Sequence, residues 1–497
     1  MAQTEVRVDF SRREGALRPI WRSIGYDEIN WTYTPRGRAL YDTLGRVFGG
    51  PLAVRNHNAF TSGNGLSAPA WGSTNLYHEL HDGRMALDWR WADQIYDVFV
   101  EHGCEPIVEL GFMPRDLSRE PSADARFGAG HDAGREPYEG GAWKHPPKDC
   151  GRWRELCRAF VAHLVDRYGG ARVLRWRFEV WNEPDIPSYW KGTVEEYCAL
   201  YDAARAGVKE ALPRAQVGGP ATTARGTEFL RQVLARIDRP EFASFHTKGA
   251  HYAPRRHYNP FLEVPKDSPS LGRMLDDVRR NVAAIRDRFP DVPILVDECD
   301  PAVGTIYGVF DNPNFIVCNT TYYPTMLCAL ADEMLRLGEV ELFTTWAFYF
   351  EGKRWFEGNR TLVTNENVEL PVLDGFRMLE RLGDHRVHAQ AEGAGVLAGD
   401  RAAIVYRHVD AWWKDATVHI DLCCESAGRA MRFWRLGNSH ARWLEQGSPQ
   451  SPSAAQVEEL RVASGLKLER IVPTDGGRLV HRLELPLHDA VLCEVVP

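Results

Sequence analysis

The stretch RFEVWNEPDIPSYW, from Arg177 to Trp190, contains the feature that decides the fold. It begins as a short apolar strand and presents Asn182, Glu183 and Pro184 where that strand ends. Similar short apolar runs recur through most of the chain and alternate with helical patterns. The fold class therefore follows from how many such runs surround this stretch.

Eight apolar runs qualify as strands. They are residues 22–29, 51–58, 105–112, 174–182, 216–222, 242–249, 293–300 and 341–350. Between them, apolar residues at three- and four-residue spacing predict helices, as in 89–103, 153–169, 194–212 and 275–289. Eight strands, each followed by a helix, are typical of a closed (β/α)₈ TIM barrel. An open doubly wound sheet is the competing interpretation, and the missing glycine-rich phosphate loop counts against it.

The pattern changes after Gly383. From about residue 384 the segments are short and strand-like, with turn residues between them, which predicts a C-terminal antiparallel β-sandwich domain. The alternating run TEVRVDF near the start has no helix partner, so residues 1–15 are expected to join this sandwich as a strand. The predicted domains are that strand, a barrel over 16–383 and the sandwich over 384–497. The sandwich is expected to support the barrel, with a carbohydrate-binding module as the alternative.

Composition excludes several classes of protein. The net charge of −8 and the pI near 6.1 argue against nucleic-acid binding. The first residues lack the pattern of a secretory signal, and no apolar run has the length of a membrane span. The ten cysteines form no CxxC pair, so a zinc site is not expected, and they fit the reduced thiols of a cytoplasmic protein. Neither a cofactor nor a metal is expected.

Two carboxylates have the placement of an active-site pair. Active sites of TIM barrels lie at the C-terminal ends of the strands. Glu183 ends the fourth strand and Glu298 the seventh, so the two can converge across the barrel mouth. Converging carboxylates are what glycosidic cleavage requires: one protonates the leaving oxygen and the other meets the charge that develops at the anomeric carbon. Taken alone, Glu183 also fits an acid that stabilises a helix N-terminus.

The neighbours of these carboxylates give further expectations. Asn182 can donate its amide to a sugar hydroxyl beside the reacting carbon. Strand alternation sends Asp297 to the opposite side from Glu298, where it is expected to pair with a helix-side arginine. Cys299 is expected to be a core residue, since no histidine adjacent in sequence supports a catalytic thiol.

A set of motifs carries a family resemblance over nearly the whole chain. They are VRNHNAF (54–60), ELGFMP (109–114), WRFEVWNEPD (176–185), VGGPA (217–221), FHTKGA (245–250), ILVDECDPAVG (294–304), TWAFYFEG (345–352), LPVLDGFRML (370–379) and GSPQSPSAAQ (447–456). Together they resemble glycoside hydrolase family 39, which contains β-D-xylosidases and α-L-iduronidases. WNEP is shared with a larger clan of retaining barrel glycosidases, whereas HTKG and DECDP are more specific.

The resemblance implies roles for the catalytic positions and their neighbours. Glu183 matches the general acid/base and Glu298 the nucleophile. Asn182 matches the residue that holds the 2-hydroxyl of the bound sugar. His57 and His246 match positions that line the subsite of the non-reducing sugar, although each alone also fits a structural histidine.

Three further positions bear on the choice of sugar. Lys248, Gly304 and Arg360 fall at or near positions that bind the sugar carboxylate in the iduronidases. Many xylosidases of the family have tyrosine at the position of Lys248, and an ordinary surface lysine is the plainer alternative. Thr305 departs from the tryptophan of the iduronidases. Which of Glu351 and Glu357, if either, contacts the sugar stays open.

The sequence therefore predicts a retaining exo-glycosidase. The leading substrate is a β-D-xyloside from short xylo-oligosaccharides, and an α-L-iduronide or another uronide is the alternative. A non-catalytic carbohydrate-binding protein is the alternative from a different class, but it would be expected to have lost one of the two carboxylates. A small carbohydrate is the expected partner, with no nucleic acid and no membrane. A homo-oligomer is an analogy with the family and is not decided by the sequence.

Overall fold

The structure is a computed structural model that describes residues 4–63, 72–121, 141–250, 268–302, 308–310, 312–346, 354–410 and 417–497. Its first twelve strands are β1 Thr4–Ala16, β2 Ser23–Tyr26, β3 Ala53–Asn56, β4 Tyr77–Glu79, β5 Met85–Leu87, β6 Glu105–Leu110, β7 Arg177–Val180, β8 Gln216–Thr222, β9 Phe242–Lys248, β10 Ile294–Asp300, β11 Val340–Phe343 and β12 Thr345–Trp346. The helices among them are α1 Pro35–Val47, α2 Arg90–Glu101, α3 Cys150–Tyr168, α4 Gly170–Val173, α5 Val194–Ala211, α6 Thr227–Arg236, α7 Leu271–Arg288, α8 Tyr322–Leu337 and α9 Val372–Glu380.

The remaining elements are mostly strands. They are β13 His385–Ala391, β14 Gly395–Ala398, β15 Ala402–Arg407, β16 Val418–Glu425, β17 Ala430–Arg435, α10 Ser439–Glu445, α11 Ala454–Ala463, β18 Lys467–Pro473, β19 Leu479–Leu485 and β20 Asp489–Val496.

The barrel consists of β2, β3 and β6 to β12, and every neighbouring pair in it is parallel. Only Thr344 separates β11 from β12, so these two segments act as a single eighth strand. β11 pairs with β10 and β12 pairs with β2, which closes the sheet on itself. The predicted (β/α)₈ barrel is therefore confirmed.

Local sequence explains where the outer helices begin and end. Helix α3 begins after Asp149, whose side chain accepts the N–H groups of Gly151 and Arg152, and ends at Gly169, which has a φ of +85°. Such N-terminal oxygen caps and left-handed glycines satisfy the unpaired ends of a helix. Helix α5 begins with a capping box between Thr193 and Glu196. These caps set where α3 begins and ends and where α5 begins.

The C-terminal region contains two sheets that pack face to face. One has the order β13-β1-β16-β19 and the other β14-β15-β20-β17-β18. Their shared core contains apolar side chains from both, such as Val6, Ile420 and Leu422 from the first and Phe433 and Val491 from the second. The predicted sandwich is thus confirmed, although β1 and β16 pair in parallel.

The N-terminal strand β1 lies between β13 and β16. One hydrogen bond that links barrel and sandwich runs from Tyr406 Oη on β15 to Asp332 Oδ2 on α8, at 3.3 Å. The division into domains at residues 16 and 384 stays a prediction. None of the helices in the described ranges is long and apolar enough to cross a membrane.

Candidate active site

Glu183 lies just past the end of β7 on a strained turn. Trp181 and Glu183 have φ angles of +70° and +45°, which non-glycine residues rarely adopt. The Glu183 N–H donates to the carbonyl of Ala221 at 2.9 Å, at a register shift in the pairing of β8 with β9. His246, on β9, brings Nδ1 to 2.8 Å from Glu183 Oε1. The turn therefore directs the acid past β8 toward β9.

Glu298 lies on β10 beside a β-bulge. Val296 pairs with Phe245 and Glu298 with His246, so Asp297 is an extra residue on β10. A bulge of this kind re-aims side chains. Asp297 Oδ2 is 3.6 Å from Arg55 Nε and Oδ1 is 3.6 Å from His246 Nε2, so both Asp297 and Glu298 face the barrel interior. The expectation that Asp297 pairs with a helix-side arginine is wrong, because simple alternation does not continue through the bulge.

The structure brings the two candidate catalytic carboxylates close together. One side-chain oxygen of Glu183, one of Glu298 and a ring nitrogen of His246 all lie within 4.8 Å of one another. These are atoms that could contact a divalent cation. However, Glu298 Oε1 already accepts from Arg55 and Oε2 from Lys248, so permanent cations occupy both of its oxygens. The space between the two carboxyls therefore suits a reacting group of a bound molecule better than it suits a metal ion.

The surroundings of Glu298 favour its anion. Arg55 Nη1 lies 3.1 Å from Oε1 and Lys248 Nζ lies 2.7 Å from Oε2. His57 Nε2 is 3.4 Å from Oε1, and Arg360 Nη1 is 3.6 Å from Oε2. Burial alone would raise the pKa of Glu298, but the charges of Lys248 and Arg360 and the hydrogen bond from His57 outweigh burial and hold that pKa well below its ordinary value.

The surroundings of Glu183, in contrast, favour its protonated form. Its side chain is 14% exposed. Burial, followed by the negative charges of Glu298 and Asp185, raises the pKa of Glu183 to about 8. At neutral pH the pair therefore consists of a protonated Glu183 and an ionised Glu298. Two carboxyl groups whose environments push their pKa values apart are a sign of an acid and an anion with separate tasks.

Arg55 links the buried carboxylates and was not among the residues predicted for the site. It donates from Nε to Glu179 at 2.6 Å, from Nη1 to Glu298, and from Nη2 to both Glu109 and Asn182. Its side chain is fully buried. The sequence signal was a charged residue inside the buried run PLAVRNHN, which needs carboxylate partners on neighbouring strands.

One polar atom of the Asn182 amide is hydrogen-bonded, and the other has no partner among the described residues. Its Oδ1 accepts from Arg55 Nη2 at 2.8 Å, which fixes the orientation of the amide because a guanidinium can only donate. Its buried Nδ2 has no hydrogen-bond partner among the described residues. The amide is therefore available to donate to a bound molecule, as the sequence predicts, and this role stays a prediction.

His57 faces carboxylates on both sides. Its Nδ1 is hydrogen-bonded to Glu109 Oε2, and its Nε2 is 3.3 Å from Asp27 Oδ1. Burial would lower its pKa, but Glu109, Glu298 and Asp27 raise it to about 9. The Trp346 ring packs against it at 4.7 Å between centroids. As placed, His57 supports Glu298 as an imidazolium, and its predicted contact with a sugar stays untested.

Lys248 and Arg360, the two cations predicted to affect which sugar binds, form a cluster with Asp300. Lys248 Nζ lies 2.6 Å from Asp300 Oδ2, in addition to its contact with Glu298. Arg360 Nη1 lies 2.9 Å from the same Asp300 oxygen. Asp300 Oδ1 is buried and accepts no hydrogen bond from the described residues. The structure thus brings Lys248 and Arg360 together at the side of Glu298, with an acceptor between them.

Two of the remaining predicted positions cannot be placed. Gly304 and Glu351 lie outside the described residues. Glu357 is described, and its Oε2 accepts the N–H of Arg354 at 3.0 Å, so this carboxylate holds its own loop.

A parallel barrel with paired acidic residues at the C-terminal ends of its fourth and seventh strands defines a class, the barrel glycosidases. Comparison with known proteins gives the family. The model of Glycosyl hydrolases family 39 matches residues 71–420, well over half of the chain. The chain therefore belongs to glycosyl hydrolase family 39 and is a glycosidase.

Individual relatives agree with this assignment. A β-xylosidase of Geobacillus stearothermophilus is 29% identical over 469 residues, covering 88% of this chain and 86% of its own. The α-L-iduronidase of Homo sapiens is 28% identical over 417 residues, covering 69% of this chain and 60% of its own. The crystal structure of a monomeric β-xylosidase from Caulobacter crescentus CB15 superposes with a TM-score of 0.79 at 24% identity, covering all of both chains. That last likeness supports the fold.

Proposed function

We propose that this glycosidase is a retaining enzyme that removes one terminal sugar by double displacement. The observation that carries the proposal is the approach of Glu183 and Glu298, with oxygens within 4.8 Å, in surroundings that raise the pKa of Glu183 to about 8 and hold the pKa of Glu298 well below its ordinary value. Glu298 attacks the anomeric carbon while Glu183 protonates the leaving oxygen. Glu183 then takes a proton from the water that hydrolyses the glycosyl-enzyme.

The spacing of the carboxyls supports retention of configuration. Retaining glycosidases place these groups about 5–5.5 Å apart, whereas inverting enzymes need roughly 6.5–9.5 Å to admit a water. The test is proton NMR of the first product released from an aryl β-xyloside, before the free sugar mutarotates. The β-anomer is expected first, and an initial α-anomer would disprove the double displacement.

A terminal β-D-xyloside of short xylo-oligosaccharides is the substrate we propose. Relatives at 29% and 26% identity are named β-xylosidases, and they align with most of this chain. The charges at the site agree with a neutral sugar. The ammonium of Lys248 is already paired with Glu298 and Asp300, and the guanidinium of Arg360 with Asp300. A sugar hydroxyl can donate to the open Asp300 Oδ1, whereas a sugar carboxylate would meet Asp300 as a like charge.

Cleavage of a uronide is the second candidate, and Lys248 is the observation that favours it. The human relative is an α-L-iduronidase, and two cations do lie beside Glu298. Rates with aryl β-xyloside, α-L-arabinoside, β-glucoside and α-L-iduronide separate the two candidates. We expect the xyloside to be cleaved fastest. If the iduronide is cleaved faster than the xyloside, cleavage of a uronide becomes the first candidate function.

Lys248→Ala adds a second discriminator. If Lys248 binds a sugar carboxylate, its loss damages uronide turnover far more than xyloside turnover. If it acts only by holding Glu298 and Asp300, both substrates lose activity by a similar factor. Lys191→Ala, a lysine exposed after β7, is the matched control and is expected to change neither rate. The cytoplasmic location and the oligomeric state stay predictions from the sequence.

A further inference from the structure

Asp297, the bulge residue, is a buried carboxyl group for which the proposed mechanism has no use. It is fully buried, and neither of its oxygens accepts a side-chain hydrogen bond within the described ranges. The two nearest cationic or ring nitrogens, Arg55 Nε and His246 Nε2, are both 3.6 Å away. The single proton on Arg55 Nε is already donated to Glu179 Oε2 at 2.6 Å.

The charges around Asp297 oppose a further anion. Arg55 faces it from β3, Glu179 from β7 and His246 from β9, while Glu298 follows it on β10. Arg55 already serves Glu179, Glu109 and Glu298. Burying a carboxylate without donors costs several kcal/mol, and such a group takes up a proton instead. Burial and the charge of Glu179 accordingly raise the pKa of Asp297 well above its ordinary value.

We propose that Asp297 is a positioning residue that stays a neutral carboxylic acid and thereby keeps His246 uncharged beside Glu183. The proposal rests on the proposed role of Glu183 as the acid. An anion 3.6 Å from His246 Nε2 would favour the imidazolium. That imidazolium, with Nδ1 only 2.8 Å from Glu183 Oε1, would in turn favour the Glu183 carboxylate. A protonated Asp297 therefore favours neutral His246, and neutral His246 lets Glu183 keep the proton that it must donate.

The other neighbours are consistent with this arrangement. Burial holds the pKa of His246 well below its ordinary value although Glu298 Oε2, 3.8 Å from Nδ1, acts to raise it, and the nearby cations Arg55 and Lys248 act in the same direction as burial. Glu179 stays ionised because Arg55 outweighs its burial, and its Oε1 also accepts from Ser244 Oγ at 2.5 Å. A neutral Asp297 can donate its O–H to this anion, which gives the proton a strong acceptor.

Asp297→Asn tests the charge state because asparagine has the shape of the neutral acid. In Asp297→Asn, kcat/KM should fall at alkaline pH just as it does in the wild type, with the midpoint of this alkaline limb within about 0.3 pH unit. Asp297→Ala is expected to lower kcat at least tenfold, and Asp297→Asn to recover most of that loss. If Asp297 is an anion, removing its charge changes the field at both His246 and Glu183, so an alkaline limb displaced by about one unit or more in either direction overturns the proposal.

A spectroscopic measurement makes the outcome independent of activity. The infrared difference spectrum of wild type minus Asp297→Asn should contain the carbonyl band of a protonated carboxylic acid. Glu298→Gln is the matched control, since the pKa of Glu298 is held well below its ordinary value and this residue should contribute only carboxylate bands. Absence of the acid band for Asp297 overturns the proposal even if the folded variant is inactive. The pH dependence of Glu183→Gln is measured in parallel. If kcat/KM of this variant still falls at alkaline pH, the proposed function is contradicted. The infrared result then decides the protonation state of Asp297.

Discussion

The barrel mouth and the core of the sandwich bury opposite kinds of side chain. At the mouth, a network of ionisable groups is at most 6% exposed; its members are Asp27, Arg55, His57, Glu109, Glu179, Lys248, Asp297, Glu298, Asp300 and Arg360. In the sandwich, the two sheets meet through apolar residues such as Val6, Ile420, Leu422 and Phe433. Apolar burial stabilises a fold by about 25 cal/mol per Å², whereas buried ion pairs contribute little net stability.

This difference teaches what each region is built to do. A cluster of buried charges is costly to maintain, so its presence at the strand ends indicates a task other than stability. In the described part of the sandwich, the core consists of apolar side chains and buried thiols, and neither carboxyl of the candidate pair lies there. Substitutions at the mouth should therefore affect turnover first, and substitutions in the sandwich core should affect folding first.

The largest effect is expected from Glu298→Ala. Removal of the nucleophile should lower kcat on an aryl β-xyloside by roughly 10⁵-fold. The variant should still fold, although with a lower midpoint of denaturation, because Arg55 keeps Glu179 and Glu109 as partners and Lys248 keeps Asp300. Glu425→Ala, an exposed acid at the end of β16 in the sandwich, is the control and should keep full activity. Near-wild-type turnover in Glu298→Ala would remove the basis of the proposed mechanism.

Glu183→Ala should have a smaller effect that depends on the substrate. General acid catalysis contributes about 10²–10⁴-fold, and it matters most when the leaving group is poor. We expect a loss of that order with xylobiose and a much smaller loss in the first step with an activated dinitrophenyl xyloside. Added azide should restore turnover of the activated substrate, because this anion attacks the glycosyl-enzyme without a general base. Equal losses with both substrates would contradict the acid role.

The pH dependence should show the two carboxyls in their opposite states. The pKa of Glu183 is raised to about 8, so its acid form is present below that pH and is lost as the pH rises through it. Above pH 8, kcat/KM should fall about tenfold per unit. Since the pKa of Glu298 is held well below its ordinary value, its anion should persist into acid, and the acid limb should lie below the usual glutamate range. An alkaline limb near pH 6 would contradict this assignment.

The same comparison explains how far the sequence could predict the molecule. Strand and helix periodicities are local, so the eight barrel strands and the sandwich were predictable, and barrel topology then placed Glu183 and Glu298 at the mouth. The bulge at Asp297 was not predictable, because it depends on how β10 pairs with β9. The central place of Arg55 was missed for a related reason: its partners Glu179 and Glu298 lie 124 and 243 residues away.

The smallest effect on turnover is expected from Leu422→Ala in the sandwich. Leu422 is fully buried on β16, and truncation of a buried leucine costs about 2–5 kcal/mol of stability. The midpoint of denaturation should fall clearly, while kcat of the folded enzyme should stay within about twofold of the wild type because the sandwich core holds no reacting group. His419→Ala, at an exposed position on the same strand, is the matched control and should change stability by less than about 0.5 kcal/mol. A large loss of kcat in folded Leu422→Ala would show that the sandwich core is coupled to the barrel mouth, and the contrast between the two regions would then fail.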